Sequence, residues 1–269
     1  MTSTDSTTDT PSTVKVAGTP QRRGFGVDVG GSGIKGGIVD MDTGLLIGDR
    51  IKLLTPQPAT PSSVAKTIAE VVNRFGWTGP LGVTYPGVVT HGVVQTAANV
   101  DKSWIGTNAR DIISAELDGQ DVTILNDADA AGLAEQRYGA GRDQSGLVVL
   151  LTFGTGIGSA VIHNGTLIPN TEFGHLEVGG KEAEQRAASS VKERNNWTYE
   201  KWAKQVTRVL EAIENAIWPD LFIAGGGISR QADNWLPLLE NRTPVVAAAL
   251  ENTAGIVGAA MAATSDVTH

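Results

Sequence analysis

One pattern occurs twice in this chain of 269 residues. Residues 25–39 and residues 149–162 each combine an apolar stretch of strand length, a glycine-rich turn and a second apolar stretch. Both segments therefore predict a β-hairpin. No short period repeats along the sequence, so the pattern indicates a duplicated domain core and not a solenoid. We expect a mixed α/β protein whose two related halves face each other across a cleft.

The composition excludes several classes of protein. With 21 Lys and Arg against 29 Asp and Glu, the formal net charge is −8, which disfavours a general nucleic-acid binder or a protein that docks on an anionic membrane. The absence of cysteine removes disulfides, thiol nucleophiles and thiolate zinc sites. No apolar run has the length of a membrane span, and residues 1–13 lack the features of a signal peptide. We expect a cytoplasmic protein without nucleic-acid or membrane partners.

The turn of the first hairpin has the composition of a phosphate-binding loop. A formal G-x-G-x-x-G match ends at Gly36, but residues 37–40 continue as a strand where a dinucleotide-binding fold needs a helix. Backbone N–H groups of a glycine hairpin can instead converge on phosphate oxygens. The residues predicted to contact phosphate here are Gly30, Gly31, Ser32 and Gly33. Lys35 would offset phosphate charge and Asp28 would hold Mg²⁺ through water; a tight hairpin without a ligand is the alternative.

Two further glycine-rich segments follow apolar strands. The residues predicted there to bind phosphate or nucleotide are Thr152, Gly154, Thr155, Gly156, Gly225, Gly226 and Gly227. Two turns directed into one cleft suit a ligand with several phosphates. The last three glycines would let a nucleotide base or a phosphate chain lie against the backbone, although a plain strand-to-helix turn explains them as well.

Asp127 is the candidate general base. It follows the apolar strand 122–125, and ligands of open α/β sheets bind at the carboxyl edge of the strands. An ionised Asp there can accept the proton of a hydroxyl that attacks phosphorus. Asn and Asp are also common helix N-caps, but Asp129 fits that role about as well and leaves Asp127 free.

A second polar group, formed by Glu172, His175 and Glu184, suits the hydroxyls of a sugar. A metal site has little support there, because the sequence offers no cysteine and no second histidine nearby. A single loop histidine is often only a structural hydrogen-bonding residue.

Residues 181–208 carry seven Lys and Arg against four Glu. Such a run usually forms a solvated helix face. Alternatively, part of it borders the cleft together with Lys35 and guides a polyanionic substrate.

The order of these motifs resembles that of the ROK family of sugar kinases. The resemblance covers residues 25–263 and is carried by segments 28–35, 85–87, 126–127, 152–158, 172–175 and 224–229. It implies a two-domain, actin-like and ribonuclease-H-like ATPase fold with an interdomain cleft. The domains expected are a disordered tail at 1–23, a small α/β domain at 24–122, a large α/β domain at 123–251, and a helix at about 252–264 that returns to the small domain.

Within the family, segments 31–36, 54–61 and 169–175 look like those of actinobacterial members that use inorganic polyphosphate. The resemblance implies transfer of a phosphoryl group from polyphosphate or ATP to the 6-hydroxyl of glucose, with Mg²⁺, by a homodimer. It assigns the general base to Asp127. The sugar-binding positions that it implies are Asn99, Asn126, Glu172, His175 and Glu184. Many family members hold zinc through a cysteine cluster that this chain lacks, so we expect His175 to face the sugar and no zinc to be bound.

Three other functions compete with this interpretation. A strictly ATP-dependent glucokinase or another hexose kinase would share the same motifs. A ROK transcriptional repressor needs a helix-turn-helix module, and only about twenty polar residues precede the first strand, which are too few for one. An actin-like assembly protein would have no use for the Asn-Asp and Glu-x-Gly-His motifs.

Overall fold

The computed structural model describes residues 22–98 and 100–264. In chain order its strands are β1 (Arg23–Gly30), β2 (Gly33–Asp40), β3 (Leu46–Leu53), β4 (Leu81–Tyr85), β5 (Val89–Thr90), β6 (Val93–Val94), β7 (Val122–Asn126), β8 (Leu147–Phe153), β9 (Ile157–His163), β10 (Thr166–Ile168), β11 (Leu221–Gly225) and β12 (Val245–Ala247). Its α-helices are α1 (Pro61–Phe75), α2 (Ala109–Ala115), α3 (Asp127–Tyr138), α4 (Ala183–Ala187), α5 (Ser189–Arg194), α6 (Tyr199–Ile217) and α7 (Ala254–Thr264).

Two five-stranded sheets share one topology. The strand order is β3-β2-β1-β4-β7 in the first sheet and β10-β9-β8-β11-β12 in the second. In the first sheet β1, β2 and β3 form an antiparallel meander, and β4 and β7 run parallel to β1. In the second sheet β8, β9 and β10 form the meander, and β11 and β12 run parallel to β8. The hairpins predicted at 25–39 and 149–162 are β1–β2 and β8–β9, so the predicted duplicated α/β core is confirmed.

Helices α3 and α7 connect the two sheets. Helix α7 packs against β1, β4 and α3, while α3 also packs against β8 and β9. Small residues allow this close approach: a Cβ at Gly82 of β4 would overlap the carbonyl oxygen of Ala259 in α7. The outer faces of the sheets are covered by α1 and α2 on the first and by α4, α5 and α6 on the second.

The first sheet begins and ends outside the bounds expected for the small domain. Strand β1 begins at Arg23, inside the segment expected to be a tail, and residues 1–21 lie outside the described residues. Strand β7 pairs with β4, so the first sheet continues to Asn126, beyond the boundary expected at residue 122. Helix α7 follows the second sheet in sequence but packs on the first. Among the described residues, no helix has the length and apolar character required to cross a membrane.

Candidate active site

Asp28 is held in a fixed position beside the first glycine turn. It lies opposite Lys35 on the paired strands β1 and β2, and the Lys35 Nζ lies 3.0 Å from Asp28 Oδ2. Thr84 Oγ1 donates to Asp28 Oδ1 at 3.1 Å and accepts the N–H of Val29 at 3.0 Å. The Lys35 charge is therefore already compensated by Asp28, which the sequence analysis did not anticipate.

A cavity of about 200 Å³ brings the predicted phosphate-binding segments together. Its walls include Asp28 and Lys35 from the first hairpin, Asp127 from the start of α3, and Thr152 from the end of β8. Gly225 and Gly226 complete the wall on the side of β11. Segments separated by about 200 residues thus face one cavity, although Gly30, Gly31, Ser32 and Gly33 are not among its lining residues.

Asn126, and not Asp129, caps helix α3. The Asn126 side-chain oxygen accepts the N–H groups of Ala128 at 2.8 Å and of Asp129 at 3.1 Å, so the suggestion that Asp129 serves as the cap is wrong. The Asp129 side chain is buried instead, and its Oδ2 accepts the N–H of Asn170 at 2.8 Å. Asp127 is consequently free of the capping role and faces the cavity.

The environment of Asp127 raises its pKa. The side chain is open to the cleft, yet the surrounding protein desolvates the carboxylate. Desolvation is the main cause of a pKa of about 6, and the negative charges of Asp28 and Glu172 act in the same direction. The N–H of Ala128, 2.9 Å from Asp127 Oδ1, opposes the rise. A carboxyl group with this pKa is ionised at neutral pH and still basic enough to accept a proton.

Two of the predicted sugar-binding residues, Glu172 and His175, lie on a loop that we call the sugar loop, residues 170–176. Ser159 of β9 fixes this loop, because its Oγ donates to the Thr171 carbonyl at 2.6 Å and accepts the Phe173 N–H at 2.9 Å. His175 Nε2 lies 4.0 Å from Glu172 Oε2. The pKa of Glu172 is raised above its ordinary value because burial desolvates the carboxylate, and the neighbouring His175 offsets only part of this rise.

Glu184 joins the sugar loop to the second glycine turn. Its Oε2 accepts the N–H of Ile157 at 3.4 Å, and a side chain at Gly156 would overlap this carboxylate. Glu184 also forms a group with His175 and Glu182, in which one ligand atom from each residue lies within 4.8 Å of the others. The His175 Nδ1 is 3.5 Å from Glu182 Oε1.

A second cavity, of about 300 Å³, lies beside the second and third glycine segments. Gly154, Thr155 and Gly227 line it together with Ser189 and Ser190 at the start of α5. The two serine hydroxyls donate to the carbonyls of Gly154 at 3.1 Å and Thr155 at 2.7 Å. These serines were not predicted from the sequence, where the only signal is a Ser-Ser pair at the start of a short helix.

Other predicted residues occupy different surroundings. Asn99 lies outside the described residues. The Asn126 amide already donates to the Gly87 carbonyl at 3.1 Å while its oxygen caps α3. None of the described cations of run 181–208 lines either cavity. Within that run Arg186 donates to the carbonyls of Val178 and Gly179, so its placement does not support a basic track along the cleft.

Comparison with known proteins assigns the chain to a family. The sequence profile of the ROK family matches residues 24–189. This chain belongs to the ROK family. The predicted resemblance is confirmed, and with it the two-domain actin-like fold that ROK sugar kinases share.

Individual ROK proteins are similar over most or all of the chain. A polyphosphate glucokinase of Mycobacterium tuberculosis (strain CDC 1551 / Oshkosh) is 83% identical, with 100% of both chains covered. The inorganic polyphosphate/ATP-glucomannokinase of Arthrobacter sp. strain KM is 49% identical in sequence. Its crystal structure matches this one with a TM-score of 0.85, covering 90% of this chain and 98% of that one. A ROK glucokinase of Streptomyces griseus, solved with glucose and AMPPNP, is 25% identical with a TM-score of 0.78, covering 90% and 99%.

Proposed function

We propose that this chain transfers a phosphoryl group from inorganic polyphosphate or ATP to the 6-hydroxyl of glucose. The names of its relatives support the substrates: a polyphosphate glucokinase is 83% identical over the whole chain, and a polyphosphate/ATP-glucomannokinase shares the fold at a TM-score of 0.85. The structural observation that carries the proposal is the shared cavity. One candidate base, Asp127, and the candidate phosphate-binding residues Lys35, Thr152 and Gly225 line the same space.

Asp127 acts as the general base in this proposal. Its pKa of about 6 leaves it ionised above neutral pH. The carboxylate would accept the proton of the glucose 6-hydroxyl as the oxygen attacks the terminal phosphorus, and the bond between that phosphorus and the remaining donor would break. Because phosphoryl transfer needs little covalent assistance, positioning of the hydroxyl in line with the leaving oxygen provides most of the remaining acceleration.

The phosphate side of the cavity supplies hydrogen-bond donors and a carboxylate suited to Mg²⁺. Lys35 and the backbone of the glycine turns would bind the phosphate oxygens. The Asp28 carboxylate fits a magnesium site, since hard oxygen ligands and retained waters are what Mg²⁺ prefers; when bound there, the ion would neutralise charge on the phosphoryl oxygens. Asp28 already accepts hydrogen bonds from Lys35 and Thr84, which fix its orientation toward the cavity.

The sugar side consists of Glu172, His175 and Glu184. We propose that they accept and donate hydrogen bonds with neighbouring hydroxyls of glucose and so direct the 6-hydroxyl toward Asp127. The negative charge of Glu172 makes a minor contribution to the raised pKa of Asp127, so the two carboxylates belong to one site. Asn99 and Asn126 remain proposed sugar-binding positions by family resemblance.

The second cavity supports ATP as one of the donors. It adjoins the glycine segments at Gly154 and Gly227, and its lining includes the hydroxyl and amide side chains of Ser189, Ser190 and Gln231 together with Glu193 and Ile228. These groups suit the base and ribose of a nucleotide whose phosphates extend toward Lys35. Both candidates, the enzyme with two donors and a strictly ATP-dependent glucokinase, would use this cavity.

The test is formation of glucose 6-phosphate by the purified chain, with metal-free polyphosphate or ATP as the sole donor and Mg²⁺ supplied. We expect product from both donors. Product from ATP alone would support the second candidate, and no product from either would contradict the proposal. A matched control is Asp118→Asn, which changes an exposed carboxylate that lines neither cavity and should leave both rates unchanged. Sedimentation of the same sample tests the homodimer that the resemblance implies.

A further inference from the structure

We propose that Asn170 is a positioning residue for glucose: its side-chain amide joins the sugar loop to the first half of the chain. Asn170 Nδ2 donates to the Val89 carbonyl at 2.9 Å, and Asn170 Oδ1 accepts the Val89 N–H at 3.1 Å. One side chain thus binds both backbone groups of a buried residue that lies 81 positions away in sequence. The inference rests on the proposed function, because it concerns how that site holds its sugar.

The backbone of Asn170 is also fixed from the helix that carries the candidate base. Asn170 has a φ of 57°, a left-handed conformation that Asn tolerates better than most residues. Its N–H donates to Oδ2 of Asp129 at 2.8 Å. Asp129 is 1% exposed and lies two residues after Asp127 on α3. The conformation of Asn170 is therefore tied directly to the position of the α3 N-terminus.

The segment that Asn170 binds, residues 87–89, is held a second time from the same helix terminus. Asn126, the N-cap of α3, donates from Nδ2 to the Gly87 carbonyl at 3.1 Å. Asn126 and Asn170 thus fix this segment at two points, and Asn170 reaches it from the sugar loop. Three parts of the candidate site meet here: the start of α3 with Asp127, the sugar loop with Glu172, and segment 87–89.

This arrangement has a specific kinetic consequence. Glu172 follows Asn170 by two residues, so the amide contacts of Asn170 limit how far Glu172 can move relative to Asp127. Neither amide contact involves a residue that lines the two cavities at the glycine segments. Loss of the amide should therefore weaken productive glucose binding and leave the donor's Michaelis constant unchanged.

The first test variant is Asn170→Gly, which removes the amide and tolerates the positive φ without strain. Two neutral hydrogen bonds are lost, so we expect the KM for glucose to rise on the order of 10-fold. The KM for ATP should stay within about twofold. Asn164→Gly is the matched control, because Asn164 also has a positive φ of 49° and accepts a backbone N–H, that of Gly146 at 2.8 Å, but lies outside the sugar loop.

A second variant, Asn170→Asp, removes the amide donor but keeps the size of the side chain. It retains an acceptor for the Val89 N–H but directs an oxygen at the Val89 carbonyl, so its glucose KM should rise at least as much as that of Asn170→Gly. Both variants are compared with the wild-type chain by steady-state kinetics, glucose titration calorimetry and thermal unfolding. An unchanged glucose KM in either variant, or equal changes in the glucose and ATP constants, would overturn the inference. Failure of the wild-type chain to phosphorylate glucose would instead contradict the proposed function.

Discussion

Replacing Asp129 by Asn should change how the stability of the protein depends on pH. Asp129 is 1% exposed, and desolvation by burial raises its pKa from 3.8 to about 7, with smaller contributions from Glu172 and Asp127. One of its oxygens accepts the Asn170 N–H, and the other, Oδ1, has no hydrogen-bond partner among the described residues. The buried carboxyl group therefore favours its protonated form in the folded state.

The direction and size of the effect follow from linkage. A carboxyl group whose pKa is higher in the folded protein binds more protons there, so its contribution to stability is full below about pH 4 and is lost as the pH rises toward 7. A rise from 3.8 to about 7, at 1.36 kcal/mol for each pH unit, corresponds to about 4 kcal/mol between the two limits. Of this, about 2 to 3 kcal/mol falls between pH 5 and pH 8.

Asp129→Asn removes this titration and keeps an oxygen that can accept the Asn170 N–H. We compare the free energies of unfolding of the variant and wild type, measured by urea denaturation. The difference between them should shift in favour of the variant by about 2 to 3 kcal/mol as the pH rises from 5 to 8. Asp233→Asn, at an exposed position, is the control and should show no such trend. A difference between Asp129→Asn and wild type that does not change with pH would refute the reasoning.

Three further predictions concern the reaction. The kcat/KM for glucose should fall below about pH 6 as Asp127 becomes protonated; a profile that is flat to pH 5 would contradict the assigned base. Chelator-treated protein should be inactive and recover with Mg²⁺, and elemental analysis should find no stoichiometric zinc, whereas tightly held zinc would show that His175 and its neighbouring carboxylates bind metal. Raising the ionic strength should weaken use of long polyphosphate more than use of ATP. Lys52 is exposed, lies opposite Lys35 on the neighbouring strand β3, and its side chain is adjacent to Gly33 of the first glycine turn. Lys52→Gln should therefore have the same selective effect, and an equal loss with both donors would argue against a polyphosphate contact there.

The repeated hairpins were the part of the fold that the sequence predicted best. Glycine turns between apolar strands are local signals, and residues 25–39 and 149–162 form the predicted β-hairpins. The helix expected at 252–264 is also present as α7 (Ala254–Thr264). The sheet membership of β7 was harder to predict, because it depends on pairing with β4, and pairing partners are not encoded within a strand's own residues.

The candidate site was predictable by residue type but not by contact. The Asn-Asp motif indicated a cap and a free carboxylate, yet which residue capped α3 depends on the backbone angle at Asn126, whose extended conformation allows its side chain to reach Asp129 N–H. The pairing of Asn170 with Val89 joins residues 81 positions apart. A lone Asn before a Glu-x-Gly-His motif gives no sign of such a partner, because the contact exists only once both halves are folded.

The most direct test of the account is the turnover rate of Asp127→Asn. The substitution preserves the shape of the side chain but removes the proton acceptor, so the variant should fold and bind glucose with nearly wild-type affinity, as measured by titration calorimetry. Its kcat for glucose 6-phosphate formation should fall by about 10²-fold or more, the usual scale for loss of a general base. A folded variant that binds glucose normally and turns over at close to the wild-type rate would contradict the assignment of Asp127 as the base.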